Sequence, residues 1–315
     1  MSADSCIVRP ASSLDEAHAI FWPLINALGW TRAPLDSNTH YISTGPGGFL
    51  LVADSSKPEV AEGCIVPLVF ANGTGWIGFF CLNEGIRGRG WGGKLFARAL
   101  EHLSSNGAVI AGLDAVSAQV GTYERRGFVE KGMVRVLKRA SVKDHPIDGL
   151  ADLPVGSRLI DLEHVPTEVL VKSDLEHTGL ERARLWTKEA LWDRDDTFGF
   201  ALCDKEKGHE ELDGWVVVRS CTIGFRIGPL YANSEDVARA LLKTVLKRLE
   251  DHDGGFIAEL WEGNKSAEKV FTEAGFHEFV VHYHRMWLNG KVPEAQQPGG
   301  KADKEVYAIF DAGEG

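Results

Sequence analysis

Between Arg87 and Lys94 the 315-residue chain reads Arg-Gly-Arg-Gly-Trp-Gly-Gly-Lys, four glycines interleaved with three cations. Directly after it, Leu95, Phe96, Ala99, Leu100 and Leu103 recur at helical spacing, so the run opens a helix. Backbone N–H groups in the first turn of a helix have no intrahelical acceptor and lie at the positive end of the dipole, which suits a phosphate. Gly88, Gly90, Gly92 and Gly93 let the chain approach without a Cβ in the way, and Arg87, Arg89 and Lys94 add positive charge. The same residues would also make a tight turn with close helix packing, which needs no ligand.

Three other patterns compete for chemistry. Gly88-x-Gly90-x-x-Gly93 fits the dinucleotide fingerprint, with Asp114 about where a ribose-binding acid belongs. Against it, Asn83-Glu84-Gly85-Ile86-Arg87 separates the preceding strand from the glycines, and that strand belongs to an antiparallel hairpin rather than a βαβ unit. Cys81 invites a covalent mechanism, yet no His/Asn pattern accompanies it, and a free cysteine is usually core. His282-Tyr283-His284 alternates as strand ligands would, but no Cys or carboxylate is spaced with it. A structural or substrate-lining role is therefore expected there, and no metal.

The elements that must position these residues follow from periodicity and turn signals. Leu14 to Leu28 is apolar at helical spacing and stops at Gly29. Residues 49–53, 64–70 and 76–82 read as strands, the last two joined through Asn72-Gly73, a strong hairpin signal. After the glycine run and its helix come a strand (109–113), Asp114, a helix (about 118–126) and a stop at Gly127-Phe128. The second half repeats this order, with a helix at 237–249, a strand at 256–260, and a helix from Asn264 to the stop at Gly275-Phe276. Ile223-Gly224-Phe225 echoes Ile77-Gly78-Phe79, and Phe271 stands where Tyr123 stands, which predicts one fold used twice.

A hairpin, then Arg-x-x-Gly-x-Gly opening a helix (Arg87, Gly90, Gly92), a strand, and a helix ending Tyr-x-x-x-Gly-Phe (Tyr123, Gly127, Phe128) resembles the GNAT superfamily of acyl-CoA-dependent N-acetyltransferases. The close match covers about residues 60 to 130. The second half resembles more loosely the second domain of a tandem-GNAT subgroup, including Arg285-Met286 and Tyr307-Ala308-Ile309-Phe310. The resemblance implies an α/β (α+β) fold of two GNAT-like domains, each a mixed, mostly antiparallel sheet flanked by helices. It implies acetyl-CoA as co-substrate, its pantetheine along the strand end Cys81-Leu82-Asn83 and its pyrophosphate on the amides of Arg87, Gly88, Arg89, Gly90, Trp91, Gly92, Gly93 and Lys94. It also implies direct attack by an amine, with Tyr123 protonating the departing thiolate. For the base, Glu84 and Asp114 are candidates by position only; such carboxylates more often serve turns and caps, and a water chain would do as well. Trp22, Trp30 and Tyr41 lie where this family covers its acceptor pocket.

The second copy departs from the pattern. In place of glycines it has Ser234-Glu235-Asp236, a good N-cap and two carboxylates that repel phosphate, so it is expected to be a degenerate, silent copy. The polar, Pro- and Gly-containing stretch from 141 to 157 predicts a catalytic domain over 1–142, a linker over 143–156 and the degenerate domain over 157–315.

With 44% hydrophobic and 25% charged residues the composition is that of a globular protein, which excludes disorder and collagen. Five widely spaced cysteines without a Cys-x-x-Cys pair exclude a disulfide framework. With no apolar leader or span, the expectation is a cytoplasmic chain away from membranes. Net charge is −11, shared as +2 over 1–143 and −13 over 144–315, so nucleic acid is a poor partner. The expected partner is a small-molecule amine, and the acidic half predicts a cationic one such as a polyamine or aminoglycoside. An acyl-CoA-binding sensor without catalysis is the alternative from another class.

Overall fold

Strands β1 (Cys6–Pro10), β2 (Leu50–Asp54), β3 (Ala61–Val69) and β4 (Thr74–Leu82) pair antiparallel in chain order. The β3–β4 turn is the expected one: Gly73 takes φ +77° and Asn72 Oδ1 accepts from the Thr74 hydroxyl at 2.6 Å. Helix α1 (Leu14–Ala27) precedes β2 and turns Ala17, Phe21, Leu24 and Ile25 onto one face of this sheet. The structure, a computed structural model, describes residues 5–144, 147, 152–206 and 208–315; within the expected linker, residues 145, 146 and 148–151 lie outside these.

Helix α2 (Asp36–Thr44) has no apolar stripe and was not legible from periodicity. It buries Asp36, Ser37, Thr39, His40, Ser43 and Thr44, because its partners are polar groups elsewhere in the fold rather than an apolar core. Helix α3 (Trp91–Ser105) follows the glycine run, with Leu95, Phe96, Ala99 and Leu103 against the opposite face of the sheet. Strand β5 (Ile110–Val116) comes next. The helix expected over 118–126 shrinks to α4 (Val120–Glu124) behind a 3₁₀ turn, ending at Gly127 with φ +86°. Strand β6 (Phe128–Arg139) closes the first half.

The second half builds β7 (Ser157–Asp161), α5 (Thr167–Thr178), β8 (Thr197–Asp204), β9 (Gly214–Cys221) and β10 (Gly224–Ala232). Then follow α6 (Glu235–Arg248), β11 (Gly255–Trp261), α7 (Lys265–Glu273), β12 (His277–Leu288), α8 (Ala302–Glu305) and β13 (Val306–Ala308). All thirteen described strands lie in one sheet, ordered β1-β2-β3-β4-β5-β12-β6-β11-β10-β9-β8-β7 with β13 on β10. Only β4–β5 and β10–β11 are parallel, so the sheet is mixed and mostly antiparallel, with helices on both faces.

The order contains an exchange. Strand β6 pairs with β11 of the second half, β12 pairs with β5 of the first, and β6 and β12 pair with each other at the centre. Pairing also corrects the alignment of the repeat. Thr74 opposite Ile110 and Gly224 opposite Gly255 each begin a parallel pairing, which sets Ile77-Gly78-Phe79 beside Ile227-Gly228-Pro229. The Ile223-Gly224-Phe225 likeness was local coincidence, Ile223 lying in the β9–β10 turn. No helix among the described residues is long and apolar enough to cross a membrane.

Candidate active site

Parallel strands stay together only while both edges offer hydrogen-bond partners. β4 and β5 pair over Thr74–Trp76 and Ile110–Gly112 and then diverge, leaving Ile77–Leu82 without a strand partner on that side among the described residues. Against β3, β4 shifts register between Gly78 and Cys81, and Phe79 there takes φ +51°, an uncommon conformation for a bulky residue. Its ring is pinned by Phe21 (4.9 Å), His40 (4.2 Å) and the Arg32 guanidinium (5.4 Å).

The divergence opens a cleft of about 440 Å³. One wall is β4 from Ile77 to Leu82; facing it are Leu113, Asp114, Val116, Gln119 and Tyr123. One end carries Leu82 and Arg87 and leads toward α3. The other carries Trp30, Arg32, Tyr283, Ala312 and Gly313, brought from three separate parts of the chain.

The glycine loop stands at the α3 end. Gly90 caps the helix at φ +82°, Gly88 takes φ +79°, and no side chain caps the first turn. A Cβ on Gly92 would press on Leu82 and Phe80, which line the cleft. Trp91 is buried with its indole in the core, so it offers only its amide to a ligand. Arg87, Arg89, Gly93 and Lys94 are exposed around the loop, and Arg87 reaches back to the Leu82 carbonyl at 3.1 Å. Asn83 does not line the cleft: its backbone N–H donates to the Glu62 carbonyl (2.8 Å) and its side-chain amide to the Glu62 carboxylate (2.7 Å).

Tyr123 reaches the cleft from α4, buried against Phe96 and Phe128. Burial pushes its phenol up to about 12, so it is a proton donor at neutral pH. Cys81 lines the cleft, but burial pushes its thiol up to about 12 as well, which leaves no thiolate for a covalent role.

The two base candidates fare differently from their expected positions. Glu84 is exposed on a 3₁₀ turn (Glu84–Ile86) and does not line the cleft, a correction that follows from the turn directing it to solvent. Asp114 lines the cleft but is occupied. Arg285, its cross-strand partner on β12, donates Nε to Oδ1 at 2.9 Å and Nη2 to Oδ2 at 2.7 Å. Burial raises the Asp114 carboxyl above its ordinary value against the pull of that guanidinium. The Asp114 side chain is fully buried in this pair and out of reach of a ribose, which, with the 3₁₀ turn between strand and loop, argues against the dinucleotide reading.

Of the three expected acceptor-pocket aromatics only Trp30 lines the cleft; Tyr41 packs on Phe49. His282 and His284 flank the lining residue Tyr283, and His284 is held by Glu130 (2.9 Å) and Ser117 (3.0 Å). Among the described residues no group of three or more His, Cys, Asp or Glu is placed to hold a metal ion. The acidic half contributes Tyr283, Ala312 and Gly313 to the lining and no carboxylate, so its charge of −13 is not in the cleft wall. Sequence reasoning missed Leu28, Arg32, Gln119, Ala312 and Gly313, which stand outside the positions that the motifs specify.

The second copy has the same splay and fills it. β10 and β11 pair over Gly224–Ile227 and Gly255–Ala258 and then part. Strand β13 enters the gap, pairing Ala308 with Leu230 and Val306 with Tyr231, and Ile309 N donates to Glu259 O of β11 at 2.9 Å. Ser234 caps α6 and Phe271 packs on Phe276 at 5.0 Å, so no glycine loop opens this helix and no phenol stands at the position of Tyr123.

Comparison with known proteins agrees with this geometry. Residues 13–128 match the model of the Acetyltransferase (GNAT) family, and residues 171–298 match that of an Acetyltransferase (GNAT) domain. The holothin acyltransferase of Pseudoalteromonas sp. (strain SANK 73390) is 25% identical over 304 residues, 92% of this chain and 90% of that protein. A crystallised Pyrococcus horikoshii protein assigned as an acetyltransferase superposes with TM-score 0.72 at 22% identity, over 100% of this chain and 97% of that one. A tandem GNAT protein from the clavulanic acid biosynthesis pathway gives 0.63 at 15% identity, over 90% and 98%.

Proposed function

Given that this chain belongs to the GNAT superfamily, with two GNAT domains in tandem and acyl transfer as its chemistry, we propose that its first copy moves an acetyl group from acetyl-CoA to the primary amine of a small molecule. The observation that carries this reading is the open β4–β5 splay, with the glycine-loop helix at one end and a neutral, buried Tyr123 on its wall. The pyrophosphate rests on the first-turn amides of α3, and the pantetheine runs along β4 past Leu82 and Cys81. A β4 amide near the Phe79 bulge polarises the thioester carbonyl. The amine attacks that carbon, the C–S bond breaks, and the Tyr123 phenol gives its proton to the leaving sulfur. Water in the cleft takes the ammonium proton, since Asp114 is engaged by Arg285 and Glu84 lies outside. Trp30, Phe79 and Tyr283 favour an acceptor with an apolar or aromatic body over the cationic one expected from net charge.

The test is thiol release from acetyl-CoA over a panel of primary amines that includes holothin, aromatic amines, amino acids, polyamines and aminoglycosides. Release with an aromatic or apolar amine supports the reading. Tight acetyl-CoA binding without release for any amine overturns it in favour of a sensor.

A further inference from the structure

The segment after β13 does more than fill the second splay. Past Ile309 it runs toward the first: the Phe310 carbonyl accepts from Arg219 at 2.9 Å, and Asp311 pairs with Arg32 (2.8 Å) and Arg219 (2.9 Å). Ala312 N donates to Glu259 Oε2 at 2.6 Å, and Ala312 O accepts from Trp76 Nε1 at 3.0 Å. Glu314 then takes His40 Nδ1 at 2.7 Å and Ser43 Oγ at 2.8 Å from α2.

The tail crosses both copies at one equivalent point. A Cβ on Gly228 would overlap the Ile309 carbonyl, and a Cβ on Gly78, its counterpart in β4, would overlap the Gly313 carbonyl. A Cβ on Gly313 would in turn strike the Phe79 ring. Tail and β4 therefore meet backbone to backbone at the bulge, at the end of the cleft remote from the phosphate loop. From Ile309 to Glu314 every residue is buried except Ala312, which is half-exposed and lines the cleft together with Tyr283.

We propose that Ala312 is the residue that sets acceptor size: the second half, through its threaded tail, supplies the wall against which the body of the amine lies. This rests on the transfer reading above. Its backbone is fixed at both polar atoms, so the methyl cannot retreat and a larger side chain at 312 must project into the acceptor end. The cosubstrate, entering past Leu82 and Arg87, lies on the other side of the thioester.

The experiment compares methylamine, butylamine and phenethylamine as acceptors for the unmodified protein and for Ala312→Phe, with acetyl-CoA affinity measured by calorimetry on both. For the variant, kcat/KM for phenethylamine falls about tenfold or more through KM, methylamine stays within about twofold, and acetyl-CoA affinity is unchanged. An equal loss for all three amines, no loss for any, or a loss of acetyl-CoA affinity overturns the assignment. A second variant, Ala312→Cys, is treated with aminoethyl methanethiosulfonate. Labelling faster than in the unmodified protein, with folding and acetyl-CoA binding retained, places 312 on the open cleft even if no amine is a substrate. Labelling no faster than in the unmodified protein overturns the proposal. If the unmodified protein transfers to no amine at all, it is the transfer reading that has failed.

Discussion

The two copies part their parallel strands at the same place, and they differ in what enters the gap. In the first, Ile77–Leu82 keep an open edge, and a glycine loop follows. In the second, β10 beyond Ile227 is satisfied by β13, and only Asn233 and Ser234 separate strand from helix. An exposed strand edge is a standing demand for hydrogen-bond partners. A chain segment meets that demand permanently; a bound pantetheine would meet it reversibly. The glycine loop thus goes with the open edge and the Ser234 cap with the filled one, as expected if a splay that receives no ligand is closed by the chain itself.

The largest expected effect tests which copy binds. Gly92→Val drives a branched Cβ into Leu82 and Phe80, and Gly90→Val places one at φ +82°, so either should abolish acetyl-CoA binding in a folded protein. Titration of the unmodified chain should give one site; two equivalent sites would end the distinction between the copies. Next, Tyr123→Phe makes the first copy resemble the second at Phe271 and should lower turnover about a hundredfold with little change in acetyl-CoA affinity. Full turnover at neutral pH would remove the phenol from the reaction.

A smaller effect separates plug from cleft. Gly228→Ala sets a methyl against the Ile309 carbonyl and should cost about 1–3 kcal/mol in urea unfolding without weakening acetyl-CoA binding. The matching change in the first copy, Gly78→Ala, should lose stability and turnover together, because the displaced Gly313 bears on Phe79. Identical behaviour of the two variants would mean that the tail serves both splays alike.

The smallest effect is on acid stability. Burial raises the Asp36 carboxyl, but Arg219 and Arg194 outweigh it and hold it at about 2; Arg32 and Arg219 likewise hold Asp311 well below the carboxylate range. A depressed folded value means the stability is fully present above the unfolded pKa of 3.8 and is lost as pH falls toward 2. Unfolding free energy should therefore be flat in this respect above pH 4 and decline below it. Asp36→Asn should flatten the decline, and an unchanged acid profile in that variant would show that the α2 pair does not carry it.

Much of the molecule was legible because it is local. The α3 stripe, the Asn72-Gly73 turn, the Ser234 cap and the stops at Gly127 and Gly275 each depend on residues within a few positions, and all are found where their patterns put them. The Ile-Gly-Phe alignment failed because register is set by strand partners, which a triplet does not encode. Helix α2 escaped notice because its buried face is polar, satisfied by Arg194, Ala190 and Glu314 from far along the chain.

By itself the sequence determined the repeated order of elements, the glycine loop that opens α3, and Tyr123, which the second copy replaces with Phe271. The tertiary structure alone decided that β6 and β12 change places, that Asp114 is consumed by Arg285 at a separation of 171 residues, and that Ala312 stands in the first cleft while Val306–Ile309 close the second. The physical reason is reach. Backbone preferences and amphipathic spacing act over one or two turns of chain. Which edge a strand completes, and which carboxylate a buried arginine finds, is settled by competition among distant segments for the same unpaired donors and acceptors.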